Sequence, residues 1–413
     1  MQSSSTKRYP GWIIIVLGII CMNFGYSCLV SVTGVFLNPV SQSLGVLIGD
    51  LAIYITIMSL TAVVGLAAIS KFFNEKTIKP IMAISAALGA IAFVGFANAH
   101  SVVEFYLWAV PMGLCFCCMT TTPLQLLVNN WYGPKLRGRN MGIVFGVNSL
   151  CVCGIIPILN FIVQNYSWRI AYYVLAVCLV ICIPLILKFA DWSPAQKGIK
   201  RIGDEEESDG VAPVLKGYEF KEGLKKPAVW LFFISSALLV VASASVLAYT
   251  QPCMESVGFD PIFASNTVSI AIGLTVITCI LMGQVSDKIG VRYAALITGA
   301  AFALAFVAQL LIPSCGILMV VLFVLCYGVG SPAVNVVTPA MSNYICGDKN
   351  AAAFMGYANM FISIGGALSA TIVGQIVNAT GGYTVAFIFL AVLLAIVTII
   401  RVIITLPQFK YHE

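Results

Sequence analysis

Charged side chains are scarce in this sequence of 413 residues, of which only 9% are charged and 60% are hydrophobic. Ordinary soluble domains carry about 25% charged and about 45–50% apolar residues. The scarcity therefore excludes most classes of soluble protein. At about 20 apolar residues per membrane-spanning helix, the composition is sufficient for about twelve spans, so we expect the chain to be embedded in a lipid bilayer.

Histidine is almost absent too, since His100 and His412 are the two that the sequence contains. The densest cysteine cluster, Cys115, Cys117 and Cys118, has no histidine near it and is interpreted as soft packing residues. No nucleophile with a base, phosphate loop or metal cluster is recognisable. We therefore expect no enzymatic activity, no metal and no cofactor, and the modest net charge of +6 gives no reason to expect a nucleic-acid partner.

Apolar runs of membrane-spanning length divide the chain into six, a polar break, and six more. We expect an all-α polytopic membrane protein with 12 transmembrane helices. The first run exceeds a signal-peptide core, so it is expected to be retained as span 1. The runs lie near residues 12–36, 48–70, 78–97, 104–128, 140–163, 169–187, 227–250, 263–285, 293–312, 317–341, 352–377 and 383–406.

The polar break predicts a linker between two halves. We expect an N-terminal six-helix bundle at residues 1–187, a cytoplasmic linker at 188–226 and a C-terminal six-helix bundle at 227–413. The acidic run at 204–209 is typical of a solvated linker, with a regulatory role as the alternative. A shift of 214 positions reveals a weak repeat, as two pseudo-symmetric bundles require. It superposes Gly133 on Gly347, Met141 on Met355 and Gly142 on Gly356.

The basic residues predict the orientation of the chain in the membrane. If the N-terminus lies in the cytoplasm, all 22 Lys and Arg except Arg169 fall on the cytoplasmic side or at the inner end of a span, as the positive-inside rule requires. We therefore expect a multi-pass protein of the cell membrane with both termini in the cytoplasm.

Uncharged polar residues form stripes in spans 1, 4, 7 and 10. Lipid cannot satisfy their hydrogen bonds, so each stripe must face protein or water. A shared cavity is the interpretation that the recurrence favours, with contacts between helices as the alternative for any single Ser or Thr. No ionisable residue stands at mid-depth, which argues against a pump with its own acidic proton carrier. The predicted substrate-binding residues are Asn23, Tyr26, Ser27, Thr121, Gln125, Ser243, Tyr327, Ser331 and Asn335.

Glycines are frequent in spans 5 and 11, where Gly142 and Gly146 form a G-x-x-x-G pattern and Gly356, Gly365 and Gly374 recur. Small residues let helix backbones approach closely. Close packing is the first interpretation, and a sliding surface between moving helices is the alternative.

The loop between spans 8 and 9 reads Gly283-Gln-Val-Ser-Asp-Lys-Ile-Gly-Val-Arg292. It resembles the G-x-x-x-D-[RK]-x-G-x-[RK] signature of the major facilitator superfamily. The resemblance implies breakable ion pairs and helix-dipole contacts that hold one conformation closed. The matching loop after span 2 lacks the aspartate. The expected gating residues are Gly283, Asp287, Lys288, Gly290 and Arg292, together with Arg137.

Three segments of the first half resemble the monocarboxylate transporter and oxalate:formate antiporter branch of that superfamily. They are residues 34–45, the group Asn130-Trp131-Tyr132 with Arg137-Gly138, and residues 167–172. Two anion-binding residues of the branch are missing: Cys279 occupies the slot of an Arg in span 8, and no Lys lies between residues 352 and 376. Their absence argues against a small dicarboxylate.

The resemblance implies two six-helix bundles around a cavity lined by spans 1, 4, 7 and 10, which work by alternating access. We expect a secondary active or facilitative transporter of a small organic solute, with a monocarboxylate suggested by the family branch. A neutral or amphipathic metabolite is the alternative substrate, and a non-transporting receptor or sensor is the alternative class. The expected partners are the solute, a coupling proton or exchanged anion, and lipid, with the protein a monomer.

Overall fold

The computed structural model describes residues 11–69, 72–197, 202, 217–347, 350–406 and 408. Within these ranges, helices, loops and isolated β-bridges make up the chain. Twelve helices are long and apolar enough to cross a membrane, which confirms the predicted number of spans. The continuous helices are Ile48–Ile69 (span 2), Ile78–Asn98 (3), Pro134–Asn165 (5), Trp168–Phe189 (6), Pro227–Ser256 (7), Pro261–Lys288 (8), Val291–Cys315 (9), Ala351–Thr380 (11) and Thr384–Ile404 (12).

Three spans are interrupted within the bundle. Span 4 breaks at Thr120, whose ψ of −126° departs from helical geometry. Spans 1 and 10 each contain a π-helical turn, a feature that often occurs at functional sites. Span 1 comprises Trp12–Met22, the π turn Asn23–Ser27, Cys28–Val30 and Thr33–Leu44; span 4 comprises Val102–Met119 and Thr121–Trp131; span 10 comprises Ile317–Gly330, the π turn Ala333–Val337 and Thr338–Cys346.

Several helices extend beyond the apolar runs that predicted them. Helical structure in span 1 reaches Leu44 rather than residue 36, and span 7 reaches Ser256 rather than residue 250. A hydropathy window stops at the first polar cluster, whereas the backbone continues to satisfy its hydrogen bonds by remaining helical. The extension places Glu255 inside the last turn of span 7.

Equivalent helices recur at a nearly constant offset along the chain, as in a bundle and its pseudo-symmetric copy. The offset is 215 residues between Val102 and Ile317, which begin spans 4 and 10, and 213 between Ile78 and Val291, which begin spans 3 and 9. Tyr132 and Gly347 are also equivalent, 215 positions apart. Each forms a β-bridge with one described end of the linker, Tyr132 with Ile202 and Gly347 with Gly217. The acidic run at 204–209 lies outside the described residues.

Candidate transport pathway

Spans 2 and 11 meet through a polar contact between the two bundles. The carboxylate of Asp50 accepts hydrogen bonds from Asn378 Nδ2 at 3.2 Å and from Gln375 Nε2 at 3.4 Å. The backbone N–H of Gly49 donates to Asn378 Oδ1 at 3.1 Å. The last turn of span 11 is therefore tied to the first turn of span 2.

Spans 5 and 8 meet through the pseudo-symmetric counterpart of that contact. Asn160 Nδ2 donates to Ser265 Oγ at 3.0 Å and to the carbonyl of Pro261 at 2.9 Å. Ser265 follows Asp50 by 215 positions, and Gln375 follows Asn160 by the same number. Each contact thus joins the start of one helix to the end of another helix in the other bundle. Together the two contacts seal one end of the protein, which we name the closed end.

Glu255 extends the contact between spans 5 and 8 to span 1. Its Oε2 accepts from Asn38 Nδ2 at 2.5 Å, and its Oε1 accepts from Gln251 Nε2 at 2.9 Å. The same Gln251 amide also donates to Asn160 Oδ1 at 3.3 Å. Because Asn38 and Asn160 belong to the first bundle, Glu255 anchors span 7 of the second bundle to two spans of the first.

Small residues bring the backbones of spans 2 and 11 together at the closed end. A Cβ atom on Gly49 would lie only 2.3 Å from the carbonyl oxygen of Gly374. One step deeper, the Thr56 hydroxyl donates to the Ala367 carbonyl at 2.6 Å and contacts the Thr371 hydroxyl at 2.5 Å. This contact leaves no room for a side chain between the two helices.

At the opposite end the same helix faces separate, and we name this the open end. Cys153 Sγ, on the face of span 5 that carries Asn160, still donates to the Ser269 carbonyl at 3.1 Å. On that face at the open end, Cβ atoms on Gly142 and Gly146 would find no atom of the described residues within 4 Å. The G-x-x-x-G pattern of span 5 is therefore not a packed contact in this conformation.

Spans 2 and 11 diverge at the open end as well. The face of span 2 that carries Thr56 continues to Val64, whose side chain is 69% exposed. The face of span 11 that carries Ala367 continues to Met360, which is 50% exposed, and to Gly356, where a Cβ would meet no atom of the described part of the chain within 4 Å. The two bundles accordingly form a V that is sealed at one end.

The sealed part of the V covers a group of predicted site residues that we name the central cluster: Tyr26, Ser243, Tyr327 and Ser331. Tyr327 is buried, and its hydroxyl interacts with the side chains of Ser243 and Ser331. Tyr26 and Cys279 are near enough to interact with it electrostatically. The Tyr26 ring packs 5.6 Å from the Phe116 ring of span 4, centroid to centroid. Spans 1, 4, 7, 8 and 10 thus converge at one place.

Two predicted amides lie on the open-end side of the central cluster. Gln125 follows Phe116 by about two turns of span 4, and Asn335 follows Tyr327 by about two turns of span 10; both side chains are exposed. Thr121 lies between Phe116 and Gln125 and is half-buried. A solute that enters from the open end would meet the amides first and the tyrosines last.

The π turn of span 1 places the remaining two predicted residues differently. Ser27 Oγ donates to Asn148 Oδ1 of span 5 at 2.9 Å, so Ser27 makes a contact between helices. Asn23 donates to its own helix at the Ile19 carbonyl at 2.9 Å, while its Oδ1 has no hydrogen-bond partner among the described residues although Asn23 is only 4% exposed. Sequence reasoning missed Asn148, although an amide within an apolar span was a usable signal.

The predicted gating loop joins spans 8 and 9 at the open end. Gly290 has a φ of 112°, a backbone conformation that favours glycine. Asp287, Lys288 and Arg292 are exposed, and within the described ranges Asp287 forms no salt bridge. Gly283 is half-buried. The side chain of Arg137, at the start of span 5, lies outside the described part of the chain.

One ion pair stabilises the open end of the first bundle. Lys79 Nζ of span 3 lies 2.5 Å from Asp191 Oδ1, just after span 6. Trp131 Nε1 donates to the Asp191 carbonyl at 2.7 Å and fixes the end of span 4 to the same place. The part of the chain that the structure describes holds no group of three or more His, Cys, Asp or Glu placed to bind a metal ion.

The profile of the Major Facilitator Superfamily matches residues 15–370 and 254–411, which together cover most of the chain. The chain belongs to the Major Facilitator Superfamily. Membership accounts for the two six-helix bundles and for the signature between spans 8 and 9. The sequence has no significant match among curated proteins.

Solved structures of superfamily transporters share the whole fold. A bacterial homologue of the human lysosomal transporter Spinster, in an inward-facing and unoccupied conformation, matches with a TM-score of 0.77 and 16% identity over 98% of this chain and 99% of that one. The nucleoside transporter NupG matches with a TM-score of 0.72 and 15% identity over 97% and 99% of the respective chains. At these identities the likeness establishes the fold alone.

Proposed function

We propose that this superfamily member is a secondary transporter that carries a small organic solute by alternating access, with its binding site at the central cluster. The V-shaped opening carries the proposal. The closed end is held by the same polar contact made twice, once by each pair of helices, so the two bundles can separate there by breaking a few neutral or singly charged hydrogen bonds. The helix faces that would meet in the opposite state are already free at the open end.

We propose further that the open end faces the cytoplasm, so that the conformation is inward-open. The basic residues support this orientation, because Lys76, Lys79, Lys288 and Arg292 all lie at the open end, where the positive-inside rule places the cytoplasm. The linker between the bundles and both termini are then cytoplasmic, and the closed end faces the outside of the cell membrane.

The side chains along the pathway favour a solute without net charge. Hydroxyls of Tyr26 and Tyr327 and amides of Gln125 and Asn335 offer donors and acceptors, and no carboxylate or free cation lies among the described residues of the central cluster. A charged solute would lose its hydration shell there without gaining an opposite charge. Aromatic rings with a few polar groups suit a compact solute that is partly apolar and partly hydrogen-bonding.

A monocarboxylate is the second candidate. The motifs shared with the monocarboxylate and oxalate:formate branch suggest it. Cys279 stands where the branch has its anion-binding Arg, so a carboxylate would have to bind through the neutral donors of the central cluster.

A matched pair of solutes distinguishes the two candidates. Lactate and lactamide have nearly the same shape and differ in charge. Each is added to the purified protein and the thermal midpoint is measured, because a solute that binds the folded protein raises its stability by mass action. Wider panels of carboxylates and their amides follow the same design. We expect the neutral members to raise the thermal midpoint of the protein. Their uptake into proteoliposomes should not change when a pH gradient is imposed or when an anion is added on the opposite side of the membrane. If carboxylates raise the thermal midpoint instead, and their uptake responds to the pH gradient or to the trans anion, the substrate is a monocarboxylate and not a neutral solute.

Counterflow tests transport against the receptor alternative. Proteoliposomes loaded with an unlabelled stabilising solute are diluted into the same solute in labelled form. A transporter accumulates label transiently, because unlabelled solute that leaves brings the site to the outside, where it binds label, and the excess of unlabelled solute inside competes with label for the return step. Binding without counterflow in either direction would favour a non-transporting receptor on the same scaffold.

A further inference from the structure

Arg401 is a buried cation in the last turn of span 12, where its side chain is only 2% exposed. Within the described ranges, Lys79 and Asp191 form the ion pair that the structure contains, so Arg401 has no acidic partner there. Its Nε also has no hydrogen-bond partner. Burying a guanidinium without a counter-ion is costly, and in membrane proteins such residues are normally retained for function.

The guanidinium of Arg401 binds the π turn of span 10. Its Nη1 donates to the carbonyl of Ala333 at 3.1 Å, and its Nη2 donates to Thr338 Oγ1 at 2.8 Å. Thr338 in turn donates through Oγ1 to the Ala333 carbonyl at 2.8 Å. Arg401 therefore joins the first residue of the π turn to the residue that follows it.

Span 10 needs such a support because prolines weaken its backbone on both sides of the turn. Pro332 and Pro339 have no N–H, so the carbonyls one helical turn earlier lose their usual donors. Charge-assisted hydrogen bonds from a planar guanidinium are stronger than neutral ones and have fixed directions. A second anchor comes from span 7, since Arg401 Nη2 also donates to Ser236 Oγ at 3.1 Å.

The turn that Arg401 holds carries Asn335. Ala333 and Val337 at its ends are buried, whereas the Asn335 side chain between them is exposed on the open-end side of the central cluster. The shape of the turn thus decides where the amide points. We propose that Arg401 is the positioning residue of this turn, and that it sets the affinity for the solute through Asn335 without touching the solute.

A thiol placed on the turn tests the positioning directly and needs no known solute. In a background without other reactive cysteines, Asn335→Cys is labelled with a membrane-impermeant maleimide, with and without Arg401→Lys. A lysine keeps the charge but lacks the planar fork that joins Ala333 and Thr338. We expect the labelling rate at position 335 to change about tenfold, the effect of one lost hydrogen bond to a charged group, whereas a thiol in Gln125→Cys keeps its rate. Equal rates at position 335 with and without Arg401→Lys would overturn the proposal.

Two further variants separate positioning from general packing. Thr338→Val removes one acceptor of Arg401 and should change the rate at position 335 in the same direction. Thr398→Val is the control, because among the described residues the Thr398 hydroxyl bonds within span 12, to the Leu394 carbonyl at 2.7 Å. A change in rate with Thr398→Val as large as with Thr338→Val would show that any disturbance of the bundle has this effect, and would overturn the assignment.

The link to the solute rests on the proposed function and has its own test. For a solute found by thermal stabilisation, the dissociation constant is measured in a double-mutant cycle of Arg401→Lys and Asn335→Ala. We expect Arg401→Lys to weaken binding about tenfold when Asn335 is present and to have little effect when it is absent. Equal weakening in both backgrounds contradicts action through Asn335. If no solute binds, the proposed function fails, while the labelling result still decides the role of Arg401 in the turn.

Discussion

Asn378 of span 11 donates a hydrogen bond to the carboxylate of Asp50 in span 2 at 3.2 Å, and so joins the two bundles at the closed end. Gln375 donates to the same carboxylate, and the pseudo-symmetric counterpart of the Gln375–Asp50 pair, Asn160 with Ser265, contains no acid. The seal therefore combines one charge-assisted contact with one neutral contact in otherwise equivalent places. Hydrogen bonds to a charged group are about twice as strong as neutral ones, so the two halves of the seal differ in strength.

We predict that Asp50→Asn opens the closed end more often, because an amide is a weaker acceptor for Asn378 than a carboxylate. The loss of about 1 kcal/mol should raise the labelling of the native Cys253, which is buried at this end, about fivefold. The measurement is the maleimide labelling rate in a variant that retains Cys253 alone. Glu104→Gln is the control, since the hydrogen bonds of the Glu104 carboxylate to the described residues stay within its own loop, at Ser101 and His100. Equal rates in the two variants would contradict the role of Asp50.

Gly49→Ala should destabilise the sealed conformation, because its Cβ would lie 2.3 Å from the Gly374 carbonyl oxygen. Overpacking of this kind costs about 1–3 kcal/mol. We expect a lower thermal midpoint of the purified protein. Gly154→Ala in span 5 is the matched control, since its Cβ would meet no atom within 4 Å, and its midpoint should not fall. A midpoint for Gly49→Ala that equals that of the wild type would refute the close approach.

Asn335→Ala and Ser27→Ala should separate solute binding from packing. Asn335 is exposed to the pathway, so its loss should weaken solute binding and leave folded yield near normal. Ser27→Ala removes the hydroxyl that donates to the side-chain Oδ1 of Asn148. The loss should cost about 1–3 kcal/mol of stability. Dissociation constants and thermal midpoints are measured for both variants. Loss of yield with unchanged affinity for Asn335→Ala would make Asn335 a contact between helices instead.

Asp287→Asn should slow transport without changing the solute affinity of the conformation described here. In this conformation Asp287 is exposed and forms no salt bridge with the described residues. The prediction is that Asp287 finds its partner in the state in which the open end closes. We expect counterflow to fall several-fold. Glu222→Gln, an exposed acid at the same end, should leave counterflow unchanged. A changed dissociation constant with normal counterflow would show that Asp287 acts on binding.

Hydropathy predicted the number of spans because each span contains an apolar run long enough to cross a bilayer, and the fold followed from the family signature. The π turns at Asn23–Ser27 and Ala333–Val337 were not predicted. A π turn inserts one extra residue into a helix, and a hydropathy average over about 19 residues does not detect it. Pro332 and Pro339 were a signal for the second turn, whereas nothing comparable flanks the first.

Polar contacts between distant spans were the hardest to predict. Ser27 and Asn148 are 121 positions apart, and a sequence shows that each needs a partner but not which one. Glu255 lies beyond the apolar run of span 7, so the hydropathy window excluded the acid that joins span 7 to Asn38 of span 1. Arg401 was placed near the inner end of span 12, yet its three acceptors lie on spans 7 and 10 and become visible only in the packed bundle.

The distance between the bundles at both ends is the measurement that tests alternating access most directly. Spin labels on Gln42→Cys and Val257→Cys report on the closed end, and labels on Lys76→Cys and Lys288→Cys report on the open end, each pair in a background without other reactive cysteines. All four positions are exposed. With a stabilising solute added in proteoliposomes, we predict a population in which the closed-end distance lengthens and the open-end distance shortens together. If the solute binds and the two distances stay fixed, or both change in the same direction, the protein does not work by alternating access.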